Sequence, residues 1–475
     1  MYKAAKGYFM NYTRSPAKMH RLILPLQALF FVALLLSYLG QHTKAYAQNG
    51  PVIIRDTEIE AILKQWSEPV ILAAGLDPRA VNLILVQDPA VNAFVAGGQN
   101  IFLYTGLIQK ADHAGEIIGV IAHELGHIRG GHLVRTRDAM QNVAYEAILG
   151  AILGIGAAAI TGEGGLGAAI SAGVSSTAQN RFLSYSRAQE SSADQAALNY
   201  LEKAKISPQG LVSFMQKLEN DELLPTSQQS EYVRTHPLTR NRVNALRAGT
   251  ERSNMATREN PLAWKSQTAR MQAKLAGFIQ PERVQWDYDR ADKSIYARYA
   301  RAIALYRDNF VEEALAAMDD LIASEPQNPF FHELKGQMLV DFGRVAQALP
   351  SYSRAIALMG DNSAALIRTA YAHALIESAD NDDRAYEAAI TELKIALRDE
   401  PRSARIYRLL ATAYGRKGDD ALARLYLSEQ NLRIGRTRDA KIQVQTALDG
   451  LPEGSPDWIR AKDILNAIEQ AEKNN

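Results

Sequence analysis

The chain contains no cysteine. Disulfides, thiolate metal sites and cysteine nucleophiles are therefore excluded, and any metal must be held by His, Asp or Glu. It also lacks an excess of charge: 53 basic residues stand against 52 acidic ones, for a formal net charge of +1. With acids interspersed among the bases, no concentrated basic face is available for phosphate, which argues against nucleic acid as a partner. After Leu39 there is no apolar run of the ~20 residues that a membrane-spanning helix needs. What is present is 47% hydrophobic and 22% charged residues over 475 positions. That is the composition of a globular protein, too long for one core and expected to form two or three domains.

The N-terminus carries Lys3, Lys6, Arg14, Lys18 and Arg21 without an acid, then an apolar run from Leu22 to Leu39, then Lys44-Ala45-Tyr46-Ala47-Gln48. A basic region, an apolar core and a small-x-small site predict a secretory signal cleaved before Gln48. The competing expectation is an uncleaved anchor, because the apolar run approaches spanning length. Without a cysteine at the boundary a lipoprotein anchor is excluded. The expected division is a signal peptide at 1–47, a first globular domain at 48–265, a linker at 266–292 around the polar stretch Glu282–Tyr288, and a helical domain at 293–475.

The last region is periodic. Ala314 is followed after 34 residues by Ala348, after a further 41 by Ala389 and after 34 more by Ala423. The 41 reads as 34 plus a seven-residue insertion, placed within Glu377–Asp383. Twelve residues before three of these alanines stand Ala302, Gly336 and Ala411, small residues where helices cross, and Pro326 and Pro401 mark helix-pair exits. A 34-residue helix-turn-helix unit of this kind resembles the tetratricopeptide repeat, whose stacks bind peptides or proteins. Residues 147–174 form a different texture, apolar runs around Gly162, Gly164, Gly165 and Gly167. They are expected to be either a buried helix pair or a mobile lid or membrane contact near the active site.

The chemistry is carried by His123-Glu124-Leu125-Gly126-His127. Asp112 is a candidate cap for its helix, and Ile117, Ile118, Val120, Ile121 and Leu125 give it apolar faces. Histidines at i and i+4 share a face and can bind one zinc ion, while Glu124, next to the first ligand, is placed to act as general base on water. Catalytic zinc takes a third protein ligand. His113, Glu116, His132, Glu190 and His236 are the candidates, and spacing does not choose among them. Ser184–Asp194 is expected to begin a second helix with Glu190 and Asp194 on one face. A surface position at the helix end is expected for His132.

The elements Asn92-Ala93-Phe94, Gly97-Gly98-Gln99-Asn100-Ile101-Phe102, Thr105-Gly106-Leu107, the His123–His127 motif, Glu190 with Asp194, and Thr235-His236-Pro237 with Arg242 occur in this order. Together they resemble the HtpX-like, CAAX-prenyl-protease-type zinc metallopeptidases over about residues 55–250. The resemblance implies one Zn2+ per chain held by His123, His127 and Glu190, with Glu124 as general base and Asp194 supporting a ligand. It implies His236 and Arg242 near the metal, His236 either stabilising the oxyanion or filling the open metal position in a resting form. It implies that Asn92, Phe94, Gly97 and Gly98 belong to an edge strand along which an extended substrate adds. The expected fold is mainly α: a gluzincin-type metallopeptidase domain with a small β-sheet, followed by an α-helical tetratricopeptide-like solenoid. With the export signal, the resemblance implies a periplasmic endopeptidase for unfolded or partly folded proteins in outer-membrane protein quality control. Its expected contacts are the outer-membrane assembly machinery, through the repeats, and peripherally the membrane. The alternative is a repeat-based chaperone or scaffold with little proteolysis.

Overall fold

A computed structural model describes residues 52–132, 186–219, 224–225, 229–360 and 364–474. The expected signal peptide and the apolar segment 147–174 lie outside the described residues. Among the described residues no helix is long and apolar enough to cross a membrane.

The catalytic region opens with β1 (Val52–Ile54) and α1 (Thr57–Ala73). Asp56 caps α1 by accepting from the Ile59 N–H, and Glu60 reaches back to the Asp56 N–H at 3.0 Å. The two bonds satisfy orphan donors of the first turn reciprocally. Next come β2 (Asn82–Gln87), β3 (Ala93–Ala96), β4 (Asn100–Tyr104), α2 (Thr105–Lys110) and α3 (Ala114–Gly130). The strands form one sheet in the order β1-β2-β4-β3, with β2 and β4 parallel and the outer pairs antiparallel. β3 is thus an edge strand. Among the described residues the next helices are α4 (Arg187–Lys203), α5 (Gln209–Leu218), α6 (Glu231–Thr235) and α7 (Arg240–Arg252). One apolar core joins Trp66 of α1, Ile101 and Leu103 of β4, the apolar residues of α3, and Leu211 and Met215 of α5.

Residues 266–292, expected as a linker, are largely helical. α8 (Leu262–Ile279) runs through most of the stretch, followed by a 3-10 turn at Pro281–Arg283 and the short α9 (Val284–Asp287). Met271 and Leu275 of α8 belong to the catalytic core, whereas Ala273 belongs to the core of the repeats. The helix therefore lies between two hydrophobic clusters and contributes to both.

The repeats are α10 (Ile295–Arg307) with α11 (Val311–Ser324), α12 (Pro329–Asp341) with α13 (Val345–Met359), α14 (Ala365–Glu377) with α15 (Asp383–Asp399), α16 (Ala404–Arg416) with α17 (Asp420–Arg433), and a last pair, α18 (Thr437–Gly450) and α19 (Pro456–Asn474). Ala314, Ala348 and Ala389 are fully buried, as the period required, whereas Ala423 is half-buried. Gly336 lets α12 meet α13 closely: a Cβ there would sit 2.9 Å from the Tyr352 ring. The seven extra residues are not in one place. The first helices begin at 295, 329, 365 and 404, so two of the seven precede α14 and five follow it. These first helices stand side by side as a wall, α12 against α14 and α14 against α16. The rings of Tyr299 on α10 and Phe331 on α12 meet edge to face at 5.0 Å.

Candidate active site

The metal-binding motif occupies the second half of α3, which is buried continuously from Ala114 to His127. Asp112 does not cap this helix. His113 is the N-cap, with no side-chain bond, and Glu116 instead accepts from the Asp112 N–H at 3.0 Å while paired with Lys217 at 2.6 Å. This removes Glu116 from the metal candidates. The helix ends where Gly131 adopts φ 60°, a left-handed conformation that glycine takes without steric cost.

α4 begins at Ser186 with a reciprocal capping box to Gln189. From there Glu190 and Asp194, one turn apart, are buried against α3. The close approach depends on Gly126 within the motif itself: a Cβ there would lie 2.8 Å from the Ala193 carbonyl oxygen.

Four side chains converge. His123 Nε2 and His127 Nε2 are 3.0 Å apart. His123 Nε2 is 3.4 Å from Glu190 Oε2, and His127 Nε2 is 3.4 Å from Glu190 Oε1. His236 joins them, so that one ligand atom from each of the four lies within 4.8 Å of the others. Bonds of about 2.0–2.1 Å at tetrahedral angles separate ligand atoms by about 3.3–3.4 Å. The spacing of the two imidazoles and the carboxylate therefore fits a divalent ion such as zinc. Burial makes the same point energetically. His123, Glu124, Glu190 and His236 are all 0% exposed, and charged groups so placed are costly without a compensating partner. The buried Glu124 carboxylate meets the Val95 backbone N–H of β3, and His236 Nε2 stands 3.5 Å from its Oε1.

Around the four stands a supporting layer. Asp194 Oδ1 is 3.0 Å from His123 Nδ1, behind the ring. Arg242 grips Asp194 with two donors, Nε at 2.7 Å and Nη2 at 2.9 Å, and places Nη1 2.8 Å from Glu190 Oε2. Arg242 itself is anchored on the Pro237 carbonyl at 2.8 Å. His132, expected at the surface, is buried, with Nδ1 3.0 Å from His127 Nδ1. The left-handed turn at Gly131 directs the chain back so that this ring covers the far side of His127.

The electrostatics follow from these contacts. Burial alone would raise Glu190, but His236, His123 and His127 hold it well below the usual carboxylate range. Burial opposes charge on His123, yet Asp194 and Glu190 raise it to about 9. Burial lowers His127 to about 3. Glu124 is raised by burial, against the pull of His236 and His123, so it has gained affinity for a proton.

The edge strand β3 lies against α3. The Tyr104 N–H donates to Asn92 O at 3.0 Å, and alternation along the antiparallel pair then turns the backbone of Asn92 and Phe94 toward β4. The outward-facing groups belong to Ala93 and Val95. Ala93 O accepts from His236 Nε2 at 3.1 Å, and His236 Nδ1 is 3.2 Å from Glu190 Oε1. Gly97 and Gly98 form the β3–β4 turn at φ 61° and 99°. Tyr232 stacks on His236 with ring centroids 4.6 Å apart and donates its N–H to Val91 O. Tyr232, Ala93 and His132 were not singled out for these roles. A helical ring, a backbone carbonyl and a histidine after two glycines carry no spacing signal. Gly126 was legible in principle, as a glycine inside a buried helix that requires close packing.

The fold and this constellation define the class, a metallopeptidase domain with a helical repeat array behind it. Residues 54–250 match peptidase family M48, and residues 299–367 and 371–431 match the tetratricopeptide repeat. The chain thus carries a peptidase family M48 domain followed by tetratricopeptide repeats. It is similar to the beta-barrel assembly-enhancing protease of Yersinia pestis, 26% identical over 300 residues, covering 61% of this chain and 60% of that protein. The protein of the same name from Escherichia coli strain K12 is 26% identical over 304 residues, covering 62% of this chain and 61% of that protein. Metalloprotease LoiP of Escherichia coli strain K12 is 27% identical over 178 residues, 37% of this chain and 65% of its own length.

Proposed function

We propose that the chain is a zinc-dependent endopeptidase that cleaves unfolded or partly folded proteins, acting in the periplasm in the quality control of outer-membrane proteins. The observation that carries the reading is the triangle of His123, His127 and Glu190 atoms at 3.0–3.4 Å, with the fully buried Glu124 carboxylate next in sequence to the first of them. In this reading His123, His127 and Glu190 hold one zinc ion. When bound, the ion supplies Lewis-acid polarisation of water and of the scissile carbonyl. Glu124 accepts the proton from the attacking water at a carboxylate oxygen and returns it to the leaving amine; its burial-raised proton affinity suits both transfers. Asp194 and Arg242 orient His123 and Glu190. The substrate backbone pairs with the outward groups of Ala93 and Val95, a recognition that reads main chain rather than side chains. Selection then rests on access, since only unfolded segments can lie extended in the cleft. His236 is the fourth group of the cluster in the resting form. It must give up Ala93 O for a substrate strand to pair there, and it then becomes a donor for the oxyanion.

The assignment to outer-membrane quality control rests on the similarity to the beta-barrel assembly-enhancing proteases. Export rests on the signal-like residues 1–47. The test is metal content measured alongside casein cleavage for wild type, Glu124→Gln and Glu190→Ala. Wild type should carry stoichiometric zinc and cleave. Glu124→Gln should keep the metal and lose roughly 10²–10⁴ of the rate, the usual share of a general base. Glu190→Ala should lose both. A Glu124→Gln protein that retains full cellular function would establish the chaperone or scaffold alternative instead.

A further inference from the structure

The motif helix α3 ends at Gly130, and the next two residues turn back on it. Gly131 takes φ 60°, so the chain reverses and His132 folds over the last turn of the helix. Gly130 makes room for the ring, since a Cβ there would overlap His132 Nε2. Glycine is a poor helix former, so the sequence gives up local helix stability to seat this side chain. The imidazole is buried, meets the His127 ring edge to face with centroids 5.0 Å apart, and holds its Nδ1 3.0 Å from His127 Nδ1. Gln189, in the first turn of α4, donates to the His132 carbonyl at 3.4 Å. The turn is thereby tied to the helix that carries Glu190.

The direction of the bond between the two rings follows from the reading of the cluster as a metal centre, on which this inference rests. His127 faces the cluster through Nε2, 3.0 Å from His123 Nε2 and 3.4 Å from Glu190 Oε1. A ring nitrogen that holds a metal carries no proton, and a neutral imidazole carries one. The proton of His127 therefore sits on Nδ1, which donates to His132 Nδ1, and the proton of His132 sits on Nε2. The two histidine ligands are thus backed by different groups. Behind His123 stands Asp194, a carboxylate whose charge is taken up by Arg242. Behind His127 stands a neutral ring, which accepts the same kind of bond without adding a buried charge that would need its own partner. A ligating histidine keeps its tautomer and its orientation through such a bond from the nitrogen that does not face the metal.

We propose that His132 is a positioning residue of the metal centre: it accepts the Nδ1 proton of His127 and so fixes both the tautomer of that ligand and the rotation of its ring toward the ion. It touches neither substrate nor metal, and its effect is on how tightly the metal is held.

The test is zinc affinity, by chelator competition on the full mature chain. Asparagine carries its amide oxygen where histidine carries Nδ1, glutamine carries its own nearer the place of Nε2, and phenylalanine keeps a ring without an acceptor. His132→Phe should lose roughly 10–100-fold in affinity. His132→Asn should recover most of that loss, and His132→Gln should not. A role in packing alone predicts the reverse order, with Phe nearest wild type because it best conserves volume. Gly130→Ala should behave as His132→Phe does, by pushing the ring off His127. Phe at wild-type affinity, or Gln recovering as much as Asn, overturns the proposal. Nitrogen-15 NMR of the zinc-loaded wild type with labelled histidine needs no variant to fold. A scalar coupling between the two Nδ1 nuclei across the N–H···N bond is expected, and its absence overturns the proposal. A wild type that binds no zinc overturns the metal reading itself, whereas zinc binding by wild type that His132→Phe leaves intact overturns the assignment of His132 alone.

Discussion

Asp194 shows how little of a site lies in its metal-facing atoms. Its carboxylate is shared between His123 Nδ1 and the two-pronged grip of Arg242, so it fixes the orientation of one imidazole and neutralises a buried guanidinium. Asp194→Asn keeps the shape but loses the charge and one of the two oxygens that Arg242 grips. Loss of such a partner usually costs 10–100-fold in metal affinity. We expect a loss of that size in competition with a chelator, and equal activity for variant and wild type once zinc is saturating. An unchanged affinity would show that Asp194 serves Arg242 alone. Arg242→Lys should fare no better than Arg242→Ala, because an ammonium cannot reproduce the fork that joins Asp194 to Glu190. The check is zinc retention after dialysis. The motif residues could be read from sequence because i and i+4 is a local rule. Asp194 could be placed on one helix face with Glu190, but its partner Arg242 came only with the family resemblance, since 48 residues separate two groups that meet through helix packing.

Among elements, the approach of α4 to α3 decides whether a third ligand exists. Gly126 has no room for a methyl group beside the Ala193 backbone. Gly126→Ala alters none of the ligand residues and should favour α3 as an isolated helix. It should nevertheless push α4, and Glu190 with it, away from the two histidines. The expected outcome is a folded protein with zinc affinity reduced at least tenfold, measured by the same chelator competition. If affinity holds, the helices have another way to adjust. The second element-scale prediction concerns Glu333. Burial pushes its carboxyl up to about 7 from an ordinary 4.5, against the opposing pull of Lys274. Between those values the folded chain keeps a proton that the unfolded chain releases, so this stability is complete below pH 4.5 and lost as pH rises through 7. Glu333→Gln can still accept from Thr57 but does not ionise. It should melt about 2–4 °C above wild type at pH 8, the shift expected of a domain this size for ~1 kcal/mol, and together with wild type at pH 5. Equal melting temperatures at both pH values would place the ionisation of Glu333 outside the folded-state balance. Helix pairs and their period were legible because Ala314, Ala348 and Ala389 must be small wherever helices cross. The split of the insertion around α14 was not, since loop lengths leave no trace in a pattern of buried alanines.

At the scale of the molecule, the stretch 266–292 expected as a linker is mostly the packed part of α8, which faces water only near its start, at Leu262, Ala263 and Lys265. α8 carries Lys265, Arg270 and Lys274 among its apolar residues and so reads as surface, yet Lys274 is only 4% exposed. Its charge is taken up by Asp56 and Glu58. Sequence patterning reports whether a residue prefers water, not whether a distant carboxylate awaits it. The edge strand beside the motif helix was foreseen; the turning of its free carbonyl toward His236 was not, because strand alternation is known only once register is known.

The dual allegiance of α8 bears on how the protein can be taken apart. A fragment stopped at residue 265 would discard Met271 and Leu275 and leave a hole in the half that holds the metal ligands. One that started there would carry a greasy, unmatched flank into solution. Neither half should be obtainable as a well-behaved soluble piece by cutting at that border, whereas a fragment extended to residue 280 should retain a cooperative melt. Whoever separates the scissors from the arm must leave the hinge pin with the scissors.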